Sequence, residues 1–419
     1  MKSNNQTTGY DAQRYLLVVI AALTPCFMMG VYVFGLDMLD NMLGGCGLAV
    51  LLAWLMGKVS DAVRSKSSEA GGRPDDPRQS KPSSAVSGSS GSAGVMVPNK
   101  AHDMEPEYLA AAITGALIVY GLPSTIPIWI VFAGVAAAMI PAGILVKWLQ
   151  KADGNKLDVY SNDRNADGYE RNVYGNRRNA NGKERDAGRN GCDAACLLER
   201  AAVTAAFAQT AIWVLFREEA TTWPLNDFVE TRVSPGDVAT GMTPLGILAD
   251  GGDIPGLSRM FVGFISGPCG EVSVAAVLIG GVYLIWKKII SPLVPVCVLA
   301  VLFAAVFTYY MTAMSAEELS ALTGSNASGA GAAFYLACYH VLAGGAAFGA
   351  FFTAAFAAPE RYGPAKNNAG LQIFYGAGIG LITVFFRIAG IFVEGMAAPV
   401  LIMWAVTLCA GRVLMKRRK

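Results

Sequence analysis

The chain is divided by a polar segment that contains glycine and proline, Asp237-Val238-Ala239-Thr240-Gly241-Met242-Thr243-Pro244-Leu245. Long apolar stretches lie on both sides, so this segment connects two hydrophobic halves. Gly241 and Pro244 are typical turn residues. The simplest interpretation is therefore an exposed turn, and the rest of the chain must decide whether the segment has a further role.

The composition indicates a membrane protein. Of the 419 residues, 53% are hydrophobic and only 15% are charged, and the mean hydropathy is +0.42. A soluble domain of this size carries more charge. The net charge of +2 comes from charges grouped in connecting segments, a pattern that gives no sign of nucleic-acid binding.

A helix needs about 20 mostly apolar residues to cross a bilayer. About ten stretches qualify, at 15–35, 38–57, 108–124, 126–149, 197–216, 272–288, 289–311, 332–357, 370–392 and 395–414. We therefore predict an all-α integral membrane protein of about ten transmembrane helices. Five precede the polar segment and five follow it, so the halves enter the membrane in opposite directions, as in inverted-repeat folds.

These stretches divide the chain into regions of alternating character. The predicted regions are 1–57 (helices 1 and 2), 58–107 (a disordered cytoplasmic linker), 108–149 (helices 3 and 4), 150–196 (a polar cytoplasmic insertion), 197–216 (helix 5), 217–271 (an extracytoplasmic loop) and 272–419 (helices 6 to 10). The linker is rich in glycine, serine and proline, a composition that cannot build a core.

The distribution of lysine and arginine predicts the orientation. Both polar regions, 58–107 and 150–196, are rich in basic residues, as is the C-terminal tail, whereas 217–271 contains many acidic residues. Because basic loops stay on the cytoplasmic side, we expect both termini to be cytoplasmic and the segment 237–245 to be extracytoplasmic.

The cysteines give no disulfide framework. Most lie in apolar stretches, where a thiol is usually a small hydrophobic group. Cys192 and Cys196 have no second pair or nearby histidine, so we predict no metal site. We also expect no catalytic residue in the sense of a nucleophile or general base.

The segment 237–245 resembles a modification signature, Asp-x-x-(Ser/Thr)-Gly-x-Thr. In the flavoprotein subunits of the Rnf and Na⁺-translocating NADH:quinone oxidoreductase complexes, a flavin transferase links FMN through its phosphate to the last threonine. Asp237, Thr240, Gly241 and Thr243 match the signature. The resemblance implies that Thr243 carries the flavin and that Thr240 has a supporting part.

Other stretches extend this resemblance over most of the chain, in the order of the family. They are Leu122 to Trp129, Arg200 to Phe207, Thr221-Thr222-Trp223-Pro224, Gly270-Glu271-Val272-Ser273, Tyr339 to Phe352, Tyr375 to Arg387 and Glu394-Gly395-Met396. The first span begins near residue 15, and Tyr283 to Ile290 is also similar to the Rnf version. Both features favour the D subunit of Rnf over the B subunit of the quinone reductase.

The resemblance implies a membrane electron-transfer subunit in a prokaryotic cytoplasmic membrane. Its partners would be the other Rnf subunits, membrane lipid and the flavin transferase. Its cofactor would be covalent FMN, and the family can hold a second flavin such as riboflavin. The alternatives are the B subunit of the quinone reductase and, in a different class, a flavin-free inverted-repeat transporter.

The chain departs from the family at three places. Met242 stands where alanine is usual, and Glu199-Arg200 stand where Asn-Pro is expected. Ala354-Ala355-Phe356-Ala357-Ala358-Pro359 stand where the family has Ala-Thr-Asp-Pro, and they lack its aspartate. These departures weaken the expectation that this chain binds a second, noncovalent flavin.

Four further residues are candidates for the surroundings of a flavin. Trp223 can stack on an isoalloxazine, although an aromatic residue at the membrane interface is the alternative. Glu271, Arg387 and Glu394 are ionisable residues at or near span ends, where such residues are functional candidates by default. We expect Arg387 and Glu394 to pair with each other or with polar groups near the flavin.

Overall fold

The computed structural model describes residues 4–70, 106–152, 181–224, 240–324, 328–358, 369–391 and 393–416. Asp237, most of the predicted linker and most of the insertion lie outside these ranges. Within them the chain is almost entirely helical.

The first half consists of long helices followed by a short one. They are α1 (Asn4–Phe34), α2 (Leu36–Ala70), α3 (Pro106–Tyr120), α4 (Ile128–Ala152), α5 (Asn181–Leu215) and α6 (Arg217–Ala220). Three of them extend well beyond the predicted stretches. α1 begins at Asn4, before the predicted start at residue 15. α2 continues past residue 57 into the predicted linker, and α5 begins inside the predicted insertion, because a helix does not end where hydrophobicity ends.

The second half opens with short elements and continues with longer helices. The elements are β1 (Trp223–Pro224), β2 (Thr240–Gly241), α7 (Pro244–Ala249), α8 (Leu257–Val262), α9 (Val274–Trp286), α10 (Leu293–Ala313), α11 (Ala316–Thr323), α12 (Gly329–Leu342), α13 (Ala346–Ala357), α14 (Ala369–Ile388) and α15 (Ala397–Lys416). Residues Gly349–Ala354 of α13 form a π-helical turn.

Each of the ten predicted stretches contains a helix, but the count of ten spans is not confirmed. In the described part of the chain, four helices are long and apolar enough to cross a membrane: Ala12–Phe34, Leu36–Val59, Leu293–Ala313 and Ala369–Ile388. The bent pair α12 and α13 can add a fifth. Four further apolar helices are shorter. α9, for example, has 13 residues, about 20 Å at 1.5 Å per residue, whereas the hydrocarbon core is about 30 Å thick.

The predicted span 332–357 is broken. α12 ends at Leu342 and α13 begins at Ala346, with a bend of 61° between the two helices. Gly344 and Gly345 at the break have φ angles of +58° and +65°. This left-handed conformation suits glycine and cannot continue a right-handed helix. The hydropathy pattern predicts one span here because both helices are apolar and it does not detect the break between them.

The helices pack closely through small residues and a few polar contacts. A side chain at Gly115 of α3 would meet the carbonyl oxygen of Gly45 on α2 at 2.5 Å, so these two backbones touch. The side-chain amide of Asn41 donates to the carbonyl of Ser124 (2.8 Å), and that of Gln209 donates to the carbonyl of Leu117 (2.6 Å). These bonds fix the C-terminal end of α3 relative to α5, and the loop that follows it relative to α2.

Candidate functional site

Thr240 and Gly241, the first described residues of the segment that divides the chain, take part in a short β pairing. Trp223 pairs with Gly241, and Pro224 pairs with Thr240, in antiparallel orientation. A side chain at Gly241 would meet the Ser266 hydroxyl oxygen at 2.6 Å and the Pro224 carbonyl oxygen at 3.0 Å. Glycine suits this position because Ser266 and Pro224 approach its Cα closely. The described part of the segment is therefore anchored to its neighbours and is not a free turn.

Thr243 is the N-cap of α7. Its backbone is extended, and its Oγ1 accepts a hydrogen bond from the Gly246 N–H at 3.1 Å. Pro244 occupies the first helical position, where its missing N–H costs nothing. Thr243 therefore starts the helix in the usual manner of a capping threonine.

The Thr243 side chain is only 4% exposed, whereas the neighbouring Met242 is 46% exposed. An exposed turn was the simplest interpretation of this segment, but in this conformation the Thr243 hydroxyl is buried. The reason is tertiary: Thr243 hydrogen bonds to the carboxylate of Glu394, and the Tyr339 hydroxyl donates to the carbonyl of Pro244 at 2.7 Å. Both contacts hold the start of α7 against the α12–α13 break.

Arg387 closes the end of α12. Its Nη1 donates to the carbonyl of His340 at 2.6 Å, and its Nη2 donates to the carbonyls of Ala343 and Gly344 at 3.0 and 2.9 Å. The last carbonyls of a helix lack partners within the helix, and a guanidinium can satisfy several of them. The hydrogen bonds of Arg387 thus go to backbone carbonyls, and its charge also acts on the Glu394 carboxyl.

Glu271 and Glu394 come together at the same break. Glu271 packs directly against Gly345, and Glu394 lies beside Gly344, where an added side chain would meet its Oε2 at 3.0 Å. Glu271 is 8% and Glu394 6% exposed. Glu271 Oε2 and Glu394 Oε1 have no hydrogen-bond partner among the described residues. The structure therefore gathers Thr243, Glu271, Arg387 and Glu394, which are far apart in the sequence, into one buried cluster.

The two carboxyls influence each other. Burial raises the pKa of Glu271 well above its ordinary value of 4.5; Glu394 raises this pKa further, and Arg387 lowers it. Burial also raises the pKa of Glu394, while its hydrogen bond to Thr243 and the charge of Arg387 act in the opposite direction. Both groups therefore favour the protonated form more than an exposed carboxyl does.

A small, partly open cleft, with room for little more than one water molecule, begins at Glu394. The other residues along it are Gly121, Gln209, Thr210, Trp213, Gly395 and Ala397 to Pro399. The Trp213 ring lies 6.0 Å from that of Trp223, measured between ring centroids. Trp213 lines the cleft, whereas Trp223 is buried behind it and contacts the Trp213 ring.

The remaining sequence candidates are placed as follows. The backbone of Thr240 belongs to β2, and its side chain is not described. Met242 is exposed and Asp237 lies outside the described residues. Sequence reasoning missed Tyr339, Gln209 and Trp213. A glutamine within an apolar helix is a signal that could have identified Gln209, whereas nothing in the sequence distinguishes Tyr339 or Trp213 from packing aromatics.

In the residues that the structure describes, no group of three or more His, Cys, Asp or Glu could hold a metal ion. Cys269, close to Glu271 in sequence, is buried and free, and burial raises the pKa of its thiol. A buried thiol of this kind is inert.

A family model described as the NQR2, RnfD, RnfE family matches residues 197–418. The match spans more than half of the chain and includes the whole cluster. The chain therefore belongs to the NQR2, RnfD, RnfE family, which confirms the resemblance predicted from the sequence. Together with the apolar helices, this membership identifies it as a multi-pass membrane protein.

Three relatives illustrate the range of the family. The chain is 32% identical over 185 residues to the D subunit of the Na⁺-translocating ferredoxin:NAD⁺ oxidoreductase complex of Acetobacterium woodii, a match that covers 43% of this chain and 49% of that one. It is 29% identical over 197 residues to the D subunit of the proton-translocating ferredoxin:NAD⁺ oxidoreductase complex of Clostridium ljungdahlii, covering 44% and 53%. It is 34% identical over 149 residues to the B subunit of the Na⁺-translocating NADH-quinone reductase of Pseudoalteromonas atlantica, covering 35% and 32%. The chain thus spans about half, or less, of the length of these curated relatives.

Proposed function

We propose that this chain is an electron-transfer subunit of an Rnf-type complex that couples ferredoxin and NAD redox chemistry to Na⁺ or H⁺ translocation. Relatives of this chain are named as D subunits of such complexes, and this supports the proposal. In this proposal the chain lies in the prokaryotic cytoplasmic membrane with both termini cytoplasmic, and its partners are the other subunits of the complex.

The proposal includes FMN esterified to Thr243 on the extracytoplasmic side. The observation that carries it is the position of Thr243: an anchored threonine at the start of α7, with its hydroxyl directed to Glu394, which lines the cleft next to Trp213.

The residues present fit a phosphoryl ester, provided that the start of α7 opens for the transferase. To form the ester, the Thr243 oxygen would displace the leaving group of an activated flavin phosphate, which would depart with its electron pair and take up the hydroxyl proton. The ester oxygen can still accept the hydrogen bond from Gly246. The hydrogen bond that the Thr243 hydroxyl donates to Glu394 is lost, because the ester oxygen carries no proton.

When bound, FMN supplies a carrier that takes up two electrons and releases them singly. This chain's own residues then have three parts. Thr243 tethers the carrier, Trp213 offers a ring to stack against, and Arg387 provides a fixed positive charge near the ester. Tyr339 holds the backbone at Pro244 and thereby sets the direction of the tether.

We predict that Thr243→Ala abolishes covalent flavin. The parent chain, produced in membranes with a flavin transferase, should give a fluorescent band in a denaturing gel, and the variant should give none at equal protein amount. Thr243→Ser keeps the hydroxyl and should keep the band.

Thr312→Ala is the matched control, because it removes an exposed threonine hydroxyl outside the signature and should leave the band. A bright band in Thr243→Ala would exclude this attachment site. A dark parent, with a transferase that labels another substrate in the same cells, would exclude covalent flavin altogether.

A further inference from the structure

The cluster contains more negative than positive charge. Two carboxyl groups, from the loops before α9 and α15, lie at the α12–α13 break together with one guanidinium. Among the described residues, Arg387 is the basic group that acts on both carboxyls. If both carboxyls were ionised, the cluster would hold an uncompensated negative charge. A buried charge without a partner is very costly, and a carboxyl in this position takes up a proton instead.

The unpartnered atoms point to the same conclusion. Glu271 Oε2 and Glu394 Oε1 are each buried without a hydrogen-bond partner in the described chain. A buried carboxylate oxygen normally accepts a hydrogen bond. A proton on one of the carboxyls removes one charge and supplies a donor.

The other titratable groups near the cluster are tyrosine hydroxyls, His340, whose Nδ1 has no hydrogen-bond partner among the described residues, and a buried thiol. From α12, the Tyr339 hydroxyl donates to Pro244, and His340 Nε2 lies 3.1 Å from the Tyr310 hydroxyl of α10. Cys269 lies two residues before Glu271, and Tyr120 of α3 packs against Gly270 and donates to the Leu23 carbonyl. None of these groups supplies the missing positive charge.

We propose that Glu271, Glu394 and Arg387 form a buried proton-binding site in which the two carboxyl groups hold a single proton between them. With one proton the cluster is electrically neutral. The raised pKa values of both carboxyls agree with this charge count.

A proton fits this place better than a metal cation does. Glu271 is in contact with the Gly345 backbone, so no space remains between them for an ion. The guanidinium of Arg387 also repels a second cation. The described residues contain no group of three or more metal-binding side chains. A proton needs no such cavity, and it can reach Glu394 from the cleft at Gly395 and Thr210.

The site does not depend on the flavin proposed at Thr243. Its residues are present in the unmodified chain, in which the Thr243 hydroxyl donates to Glu394. The proton site can therefore be tested on protein made without a flavin transferase, and a failure of flavin attachment leaves the result unaffected.

The test is infrared spectroscopy of the purified, flavin-free chain in detergent, compared with single glutamine variants. The parent should show a protonated carboxyl band at neutral pH that is absent from Glu271→Gln and also absent from Glu394→Gln. Each variant should lose the whole band, because one carboxylate remains and Arg387 neutralises it. Glu318→Gln is the control. Glu318 is exposed, and its hydrogen bonds to Ser315 lower its pKa, so this change should leave the band intact.

Three outcomes would overturn the proposal. One is a parent without the band. Another is a pair of variants that each keep half of it, which would mean two independent protonated carboxyls. The third is a parent band that Na⁺ removes at constant pH, which would mean a cation site. Carbon-13 glutamate labelling of the parent shows, without any variant, whether the band belongs to a glutamate. A band that the label does not shift would also overturn the proposal, even if a variant fails to fold.

The pH dependence of stability gives a second measurement. A carboxyl whose folded pKa is raised binds its proton more tightly in the folded state, so its contribution to stability is present at low pH and is lost as the pH rises from about 4.5 through the folded pKa. The thermal midpoint of the parent should therefore fall as the pH rises above 4.5. This decrease should be smaller in Glu271→Gln, and an unchanged decrease would contradict the proposal.

Discussion

Arg387→Met is expected to lower the free energy of unfolding by about 3–5 kcal/mol, the usual cost of leaving buried charges without their partner. The change removes three hydrogen bonds to the end of α12 and leaves Glu271 and Glu394 without a counter-charge. Methionine fills a similar volume, so lost packing contributes little. Denaturant unfolding of the detergent-solubilised chain, followed by tryptophan fluorescence, measures the effect.

Arg259→Met is the matched control. Arg259 is an exposed arginine of α8, and a substitution at such a site usually changes stability by less than about 0.5 kcal/mol. Arg387→Lys keeps the charge but not the planar group that reaches three carbonyls. Its loss of unfolding free energy should therefore lie between those of Arg259→Met and Arg387→Met. Equal effects of Arg387→Met and Arg259→Met would show that the cluster does not stabilise the fold.

Gly345→Ala is expected to cost roughly 2–5 kcal/mol through two separate effects. The residue has a φ angle of +65°, where a Cβ atom costs about 1–2 kcal/mol. The new methyl group would also overlap the Glu271 carboxylate, and overpacking of this kind costs about 1–3 kcal/mol. The same unfolding measurement applies.

Gly324→Ala separates the two effects. Gly324 has a φ angle of +61° but nothing within 4 Å of an added Cβ, so only the backbone cost remains. In the double variant Gly345→Ala with Glu271→Ala the overlap disappears, so the two changes should cost less together than the sum of their separate costs. A loss at Gly345 no larger than that at Gly324 would contradict the contact between Gly345 and Glu271.

Much of the helical architecture follows from apolar patterning, since all ten predicted stretches contain helices. The lengths of these helices cannot be predicted from the same pattern. The span predicted at 332–357 is broken at Gly344 and Gly345, and the span predicted at 272–288 becomes a helix of 13 residues. A hydropathy window reports how apolar a stretch is, but helix ends depend on caps and backbone conformation that a window averages out.

The sequence identifies several residues of the site, but it does not predict that they lie close together in the fold. Glu271, Arg387 and Glu394 were candidates because ionisable residues near membrane spans are unusual. Their meeting at the α12–α13 break depends on a bend of 61° that the sequence does not reveal. The burial of Thr243 likewise depends on Tyr339 and Glu394, which are distant in sequence.

The central claim is that Thr243 carries the flavin, and peptide mass spectrometry tests it most directly. The full-length chain, produced in membranes with a flavin transferase, is digested, and the peptide containing Thr240 and Thr243 is fragmented. We predict a flavin phosphate located on Thr243, with Thr240 unmodified. A fluorescent protein whose Thr243 is unmodified, or whose flavin is on Thr240, would contradict the account.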